Sequence, residues 1–121
     1  MATEIEALLL VGLGGSVGAC LRYLVSGTIP LFKGIPTGTL LVNVIGSTTL
    51  SVLTYLSEPY GSFHLINIGI LGSFTTFSTF AYESFKLLEE GQTVLFVSNI
   101  TLNLLLCISG VFAGQQIASL I

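Results

Sequence analysis

Very little of this sequence is charged. Three basic side chains, six acidic ones and a single histidine are spread over 121 residues. Soluble domains carry charge on about a quarter of their residues, so a water-soluble globular fold is excluded. With three Lys and Arg in all, nothing is available to neutralise a run of phosphates, and nucleic acid is not a partner. Only two cysteines occur, Cys20 and Cys107, both inside apolar stretches and without metal-ligand spacing. They make no disulfide framework. No nucleophile–base pair or metal constellation is present, so an enzyme is not expected. What remains is apolar, 52% of the chain. That composition, at a length that allows one domain, describes an integral membrane protein.

A helix crosses the hydrocarbon core with about 20 mostly apolar residues. Four such stretches are read, over residues 5–27, 37–57, 63–88 and 93–118, with little chain between them. The expected fold is therefore all-α, a single four-span membrane domain. The first span holds one interior charge, Arg22, near its far end, where a long side chain reaches the interface. It lacks the basic leader and cleavage pattern of a signal peptide, and reads as a mature span. The second follows Pro30 and Pro36 and closes at Glu58-Pro59; the third ends at Glu89-Glu90-Gly91. Arg22, Lys33 and Lys86 fall on one side of the membrane, three against zero. By the positive-inside rule that side is cytoplasmic.

Polar side chains are costly in lipid, so their positions are informative. In the second span Thr39, Asn43, Gly46 and Ser47 share one helical face. That stripe suits an amide bonded across a small-residue helix contact, and equally a polar path. In the third span residues 73–79 carry five hydroxyls, interleaved with Phe74, Phe77 and Phe80 and preceded by Gly69 and Gly72. Hydroxyls bonding back to carbonyls, together with glycine, predict a break near residues 72–76. Broken helix at membrane depth is tolerated only inside protein or along a cavity. The alternative is a tightly packed Ser/Thr-rich helix, which leaves the phenylalanine spacing unexplained. In the last span Asn99, Asn103, Cys107, Gly110 and Gly114 lie on one face, and in the first Gly14, Gly18 and Arg22 do. No carboxylate or histidine lies near mid-membrane; Glu83 and His64 sit toward the ends of the third span. Amides, hydroxyls and the positive edges of aromatic rings suit an anion.

These residues resemble a known family. Gly14-Gly15-Ser16-Val17-Gly18-Ala19-Cys20-Leu21-Arg22-Tyr23 is similar to the first-span motif of the Fluc/CrcB fluoride channels. Thr37-Gly38-Thr39-Leu40-Leu41-Val42-Asn43-Val44-Ile45-Gly46 resembles their second-span motif. Gly72-Ser73-Phe74-Thr75-Thr76-Phe77-Ser78-Thr79-Phe80, followed by Glu83, resembles their third-span signature. The resemblance implies an antiparallel, dual-topology dimer in the cell membrane with two fluoride pores along the subunit interface. It implies pore roles for Phe77, Phe80, Ser78, Thr79 and Asn43, and a polar track at Asn99 and Asn103. Arg22 matches a vestibule arginine, and Gly72 and Thr75 match a pair whose backbone carbonyls hold a structural sodium ion. Two departures stand beside that site, Ser73 for a second glycine and Phe74 for a small residue or leucine.

Arg22 and Lys86 match positions that are basic in many relatives whichever way they insert. Lys33 alone then counts toward orientation, a bias weak enough for insertion both ways, as a homodimer of this kind requires. A heterodimer with a paralogous subunit stays open. So do two roles for Arg22, pairing with Glu83 or drawing anions into a vestibule. The function implied is passive fluoride export. Its rivals are a small dual-topology multidrug exporter and a non-conducting assembly subunit. The first needs a carboxylate in its path, whereas Glu4 and Glu6 precede the hydrophobic core.

Overall fold

The computed structural model describes residues 2–56 and 63–121. Helix α1 (Ala2–Thr28) stops just short of Pro30, whose preceding residue is biased away from helical backbone. The chain then reverses in a tight turn. Lys33 and Gly34 take φ of 51° and 87°, and the peptides of Phe32 and Ile35 exchange hydrogen bonds of 3.1 and 3.0 Å. Two central residues of positive φ make a type I′ turn, which glycine enters freely and lysine at some cost. Helix α2 (Thr37–Leu56) follows at once, with the Pro36 carbonyl accepting from the Leu40 amide at 3.2 Å. The expected close of this span at Glu58-Pro59 lies outside the described residues.

The third span is a composite. Segment π1 (Phe63–Leu71) is wound as a π-helix, and a single α turn, α3 (Gly72–Phe74), continues it. Thr75 and Thr76 are extended, and α4 (Phe77–Glu89) then carries the span to its end. The expected break is present. Helix α4 closes on Gly91 at φ 73°, with Gly91 N donating to Leu88 O (3.0 Å) and Gln92 N to Leu87 O (2.8 Å). These are the two bonds of a Schellman cap, which satisfies carbonyls that would otherwise end the helix unpaired. Helix α5 (Thr93–Leu120) completes the chain. Segments Thr3–Thr28, Thr37–Leu56, Leu65–Glu89 and Thr93–Leu120 are each long and apolar enough to cross a membrane. Both terminal helices run slightly past the expected spans, over Ala2–Thr28 and Thr93–Leu120.

Glycine sets how the spans meet. A Cβ on Gly14 would strike the Leu65 carbonyl oxygen, and one on Gly18 the carbonyl of Ile70, so α1 lies backbone against backbone on π1. On the other side α5 lies along α2, with Gly110 facing the Thr48 side chain and Gly114 facing Ser51. Between helices in lipid there is no hydrophobic drive, and close approach through small residues supplies the attraction instead. Burial follows the same logic. The buried residues among those described include Leu40, Val42 and Phe74 but also Thr39, Ser84, Asn99 and Asn103, while Leu8, Leu13, Leu105 and Phe112 face outward.

Gly18→Val should therefore lower stability by about 1–3 kcal/mol, the usual cost of overpacking, because its neighbour is backbone and cannot turn aside. Gly12 meets nothing within 4 Å, and Gly12→Ala should hold or raise stability through better helix propensity. Thermal unfolding in detergent compares the two; equal melting temperatures would contradict the packing described.

Candidate functional site at the helix break

The break begins with residues that cannot all continue a helix. Thr75 still behaves helically through its amide and hydroxyl, both donating to Leu71 O at 3.1 Å. Its ψ of 156°, followed by φ −149° and ψ 116° at Thr76, then straightens the chain. Thr76 restarts the helix as an N-cap: its Oγ1 accepts from the Thr79 amide at 3.1 Å. Threonine is among the residues that favour this position, since a side-chain oxygen replaces a missing carbonyl. Gly46 on α2 makes room for the bend, because a Cβ there would collide with the Thr75 methyl group.

Asn43 holds the straightened peptide at both ends. Its Oδ1 accepts from Thr76 N at 2.7 Å, and its Nδ2 donates to Thr76 O at 3.0 Å. The same Nδ2 lies 3.4 Å from Asn103 Oδ1. Asn103 Nδ2 in turn donates to Asn99 O and Oδ1 at 3.0 and 3.2 Å, and Asn99 Nδ2 donates to Ser84 Oγ at 3.0 Å. Asn99 is 1% exposed and Asn103 6%. Each of these amides has protein partners, as most buried polar groups do, whereas Nδ2 of the buried Asn67 on π1 has none among the described residues.

Beside the break a groove of about 440 Å³ is lined by Asn43, Ser47, Thr75, Thr76, Phe77, Phe80 and Asn103, with Ile100, Leu104, Cys107 and Ile108 completing its wall. Phe77 is 78% exposed, and its ring meets that of Phe80 at 5.7 Å between centroids, tilted by 59°. Among the groove's lining residues there is no carboxylate, histidine or lysine. Ser78 and Thr79 occupy the first turn of α4, both within 3.2 Å of Thr76 Oγ1. Among the described residues the amides of Phe77 and Ser78 have no backbone acceptor. The first turn of α4 thus sets the Phe77 and Phe80 rings in the groove wall, with two unpaired backbone amides and the Ser78 and Thr79 hydroxyls beside it.

Of the candidate residues, the structure brings together Asn43, Thr75, Phe77, Phe80 and Asn103 in the groove wall, with Ser78 and Thr79 adjoining. Asn99 lies beneath, reached only through Asn103. Gly72 is on the exposed side of α3 and Arg22 is half-buried on α1; neither lines the groove. Of the two departures from the resemblance, Phe74 is buried beside Gly46 and Ser73 lies against Gly15.

The alternative pairing of Arg22 with Glu83 is not made. Glu83 Oε1 accepts instead from Thr39 Oγ1 at 3.0 Å, because the turn of α4 aims this carboxylate at α2 rather than α1. Among the described residues the one ion pair is Lys86–Glu90, at 3.9 Å and exposed. Thr76 and Ser84 were not among the residues singled out from sequence. For Thr76 a signal existed, a hydroxyl three residues before another at the start of an amphipathic run. For Ser84 none did.

Four helices long and apolar enough to cross a membrane, with an open groove at the break in the third, define a multi-pass membrane protein. Comparison with known proteins specifies it further. The pattern described as "CrcB-like protein, Camphor Resistance (CrcB)" matches residues 9–115, and the chain belongs to this family. It is 62% identical over 113 residues to "Fluoride-specific ion channel FluC 1" of Methanosarcina barkeri (strain Fusaro / DSM 804), covering 93% of this chain and 97% of that one. To "Fluoride-specific ion channel FluC 3" of Methanosarcina acetivorans it is 56% identical over 102 residues, covering 84% and 92%. The corresponding figures for "Fluoride-specific ion channel FluC" of Methanocaldococcus jannaschii are 45% over 120 residues, 94% and 95%.

If Thr76 caps α4 as described, Thr76→Val should cost about 1 kcal/mol, while Thr76→Ser should cost a few tenths. Chemical or thermal unfolding of the purified protein distinguishes them. Equal losses in both variants would mean that the hydroxyl is not the capping group.

Proposed function

We propose that this chain forms a passive, fluoride-selective channel that exports cytoplasmic fluoride, working as an antiparallel homodimer with two pores. Relatives sharing 62% and 56% of their aligned residues with it carry fluoride-channel names. The observation that carries the reading is the first turn of α4, where free amides and aromatic edges, with hydroxyls adjoining, meet a groove lined by no carboxylate, histidine or lysine. Fluoride is small and tightly hydrated. A pore for it must replace water with donors, yet hold the ion weakly enough to release it. The hydroxyl of Thr79 and the amides of Phe77 and Ser78 are such donors, with the Ser78 hydroxyl, which donates to Thr76 Oγ1, free to reorient toward an ion, and the positive end of α4 favours an anion. Ring edges of Phe77 and Phe80 add partial positive charge without a trapping full charge. Asn43 and Asn103 form the opposite wall.

The dimer reading places a second copy over the Phe77 ring, 78% bare at the mouth of the groove, where it would close the groove into a pore. The weak positive-inside bias of Lys33 allows insertion both ways. Arg22, unpaired with Glu83, is left for the vestibule role, drawing anions toward the pore. A proton-coupled exporter is disfavoured, since the groove's walls offer no carboxylate to titrate.

A structural sodium ion fits the residues at the break. In a continuous helix the carbonyl of Gly72 would accept from Thr76 N, and that of Thr75 from Thr79 N. Here Thr76 N goes to Asn43 and Thr79 N to the Thr76 hydroxyl, so both carbonyls lose their α-helical donors. A hard cation prefers oxygen ligands, and Gly72 and Thr75 of two copies would supply four carbonyls. When bound it would neutralise these carbonyl dipoles and join the two breaks.

Reconstituted in liposomes, the protein should release fluoride electrogenically and retain chloride, read with ion-selective electrodes. Proton-driven cation efflux, or no flux, would overturn the reading. Phe77→Leu and Phe80→Leu should each slow fluoride by up to about tenfold, the worth of one aromatic contact. Substituting a bulky organic cation for sodium should reduce fluoride flux and weaken the dimer, with no sodium transported. Equal flux and equal dimer stability in both media would remove sodium from the account.

A further inference from the structure

The four side chains that run from the break to α4 have one direction. Backbone N–H groups only donate, so Thr76 N, 2.7 Å from Asn43, fixes the Asn43 oxygen on its own side. The nitrogen of that amide then faces Thr76 O and Asn103, and can only donate to them. Asn103 must answer with its oxygen, which turns its nitrogen to Asn99. Asn99 accepts with its oxygen and turns its own nitrogen to Ser84, whose hydroxyl accepts at 3.0 Å. Flipping any one amide would oppose nitrogen to nitrogen or oxygen to oxygen. The chain is consistent only as a whole.

From this geometry we infer that Asn99 and Asn103 are positioning residues: anchored on Ser84, they orient the Asn43 amide that holds the Thr76 peptide, and so set the helix break. The inference deepens the channel reading and rests on it for its functional consequence, since the break aims the first turn of α4 at the groove. Three facts support it. Both Asn103 amide hydrogens are taken up within the chain, by the two Asn99 oxygens. Asn99, at 1% exposure, is out of reach of anything in the groove. And the relay joins α2, α4 and α5 over about two turns of α4, where low dielectric strengthens each bond and the bonds polarise one another. Asn99 does not touch Asn43 or Thr76, yet it constrains both. Its near-isosteric replacement Asn99→Leu removes the side-chain link from Asn103 to Ser84 while filling the space, and leaves the Asn103 bond to the residue-99 carbonyl.

The test reads the Thr76 backbone amide directly, in ¹⁵N-labelled protein in lipid, by its chemical shift and hydrogen exchange without fluoride present. A strong bond to Asn43 should give the wild-type Thr76 amide a downfield proton and slow exchange. In Asn99→Leu that amide should exchange about tenfold faster, the worth of one buried hydrogen bond, and its shift should move upfield. Ser84→Ala, which removes only the far anchor, should move the same resonance in the same direction by less. It serves alone if Asn99→Leu does not fold. Fluoride flux from liposomes should fall in the same order. A Thr76 amide unchanged in the folded variants would overturn the relay. Because the amide is read without fluoride, a wild-type protein that conducts nothing would defeat the channel reading and leave this result standing.

Discussion

A peptide group inside a bilayer has no water to bond, so an interrupted helix persists only where side chains take over its hydrogen bonds. In this chain the Thr76 peptide is such a group, and Asn43 takes both of its bonds. Most of the architecture answers to that arrangement. Gly46 gives the bend its space, the Thr76 hydroxyl restarts the helix, and the amides of α5 brace Asn43 from behind. Removing either partner would leave a buried donor and acceptor unsatisfied, each at about 1–3 kcal/mol. That is a large part of the margin by which a domain is stable.

The same constraint explains why polar groups lie inside and apolar ones outside. Leu13, Leu105 and Phe112 meet lipid as readily as they would meet protein, so burying them gains little. Glycine seams and amide bonds hold the helices together instead. Gly14 and Gly18 bring α1 onto π1, and Gly110 and Gly114 bring α5 onto α2. The second contact carries Asn103 to Asn43. Without that close approach, the side of the groove opposite Phe77 and Phe80 would have no polar wall.

Four spans, the place of the break and the phenylalanine pair were legible, because each leaves a local mark: apolar length, clustered hydroxyls after glycine, and a three-residue spacing. The shared face of Asn99 and Asn103 was legible too, but not its burial, since helical spacing says which residues align and not what lies opposite. The π-helical winding of π1 left no sign in its leucines and isoleucines. Arg22 and Glu83 share a membrane side by sequence, yet Glu83 meets Thr39; the rotation of α4 after the break decides that, and no local pattern records it. Ser84 looks like any helical serine until α5 is laid against it.

The central claim is that the break presents the first turn of α4 to a small anion. Fluoride itself is an NMR probe, so dipolar recoupling between ¹⁹F and ¹⁵N or ¹³C in fluoride-loaded bilayers measures its neighbours without substitution. The account predicts dephasing at the amides of Phe77 and Ser78, the side chain of Thr79 and the Phe80 ring, and none at the Asn99 amide. Fluoride contacts confined to other helices, with the α4 amides unaffected, would contradict it.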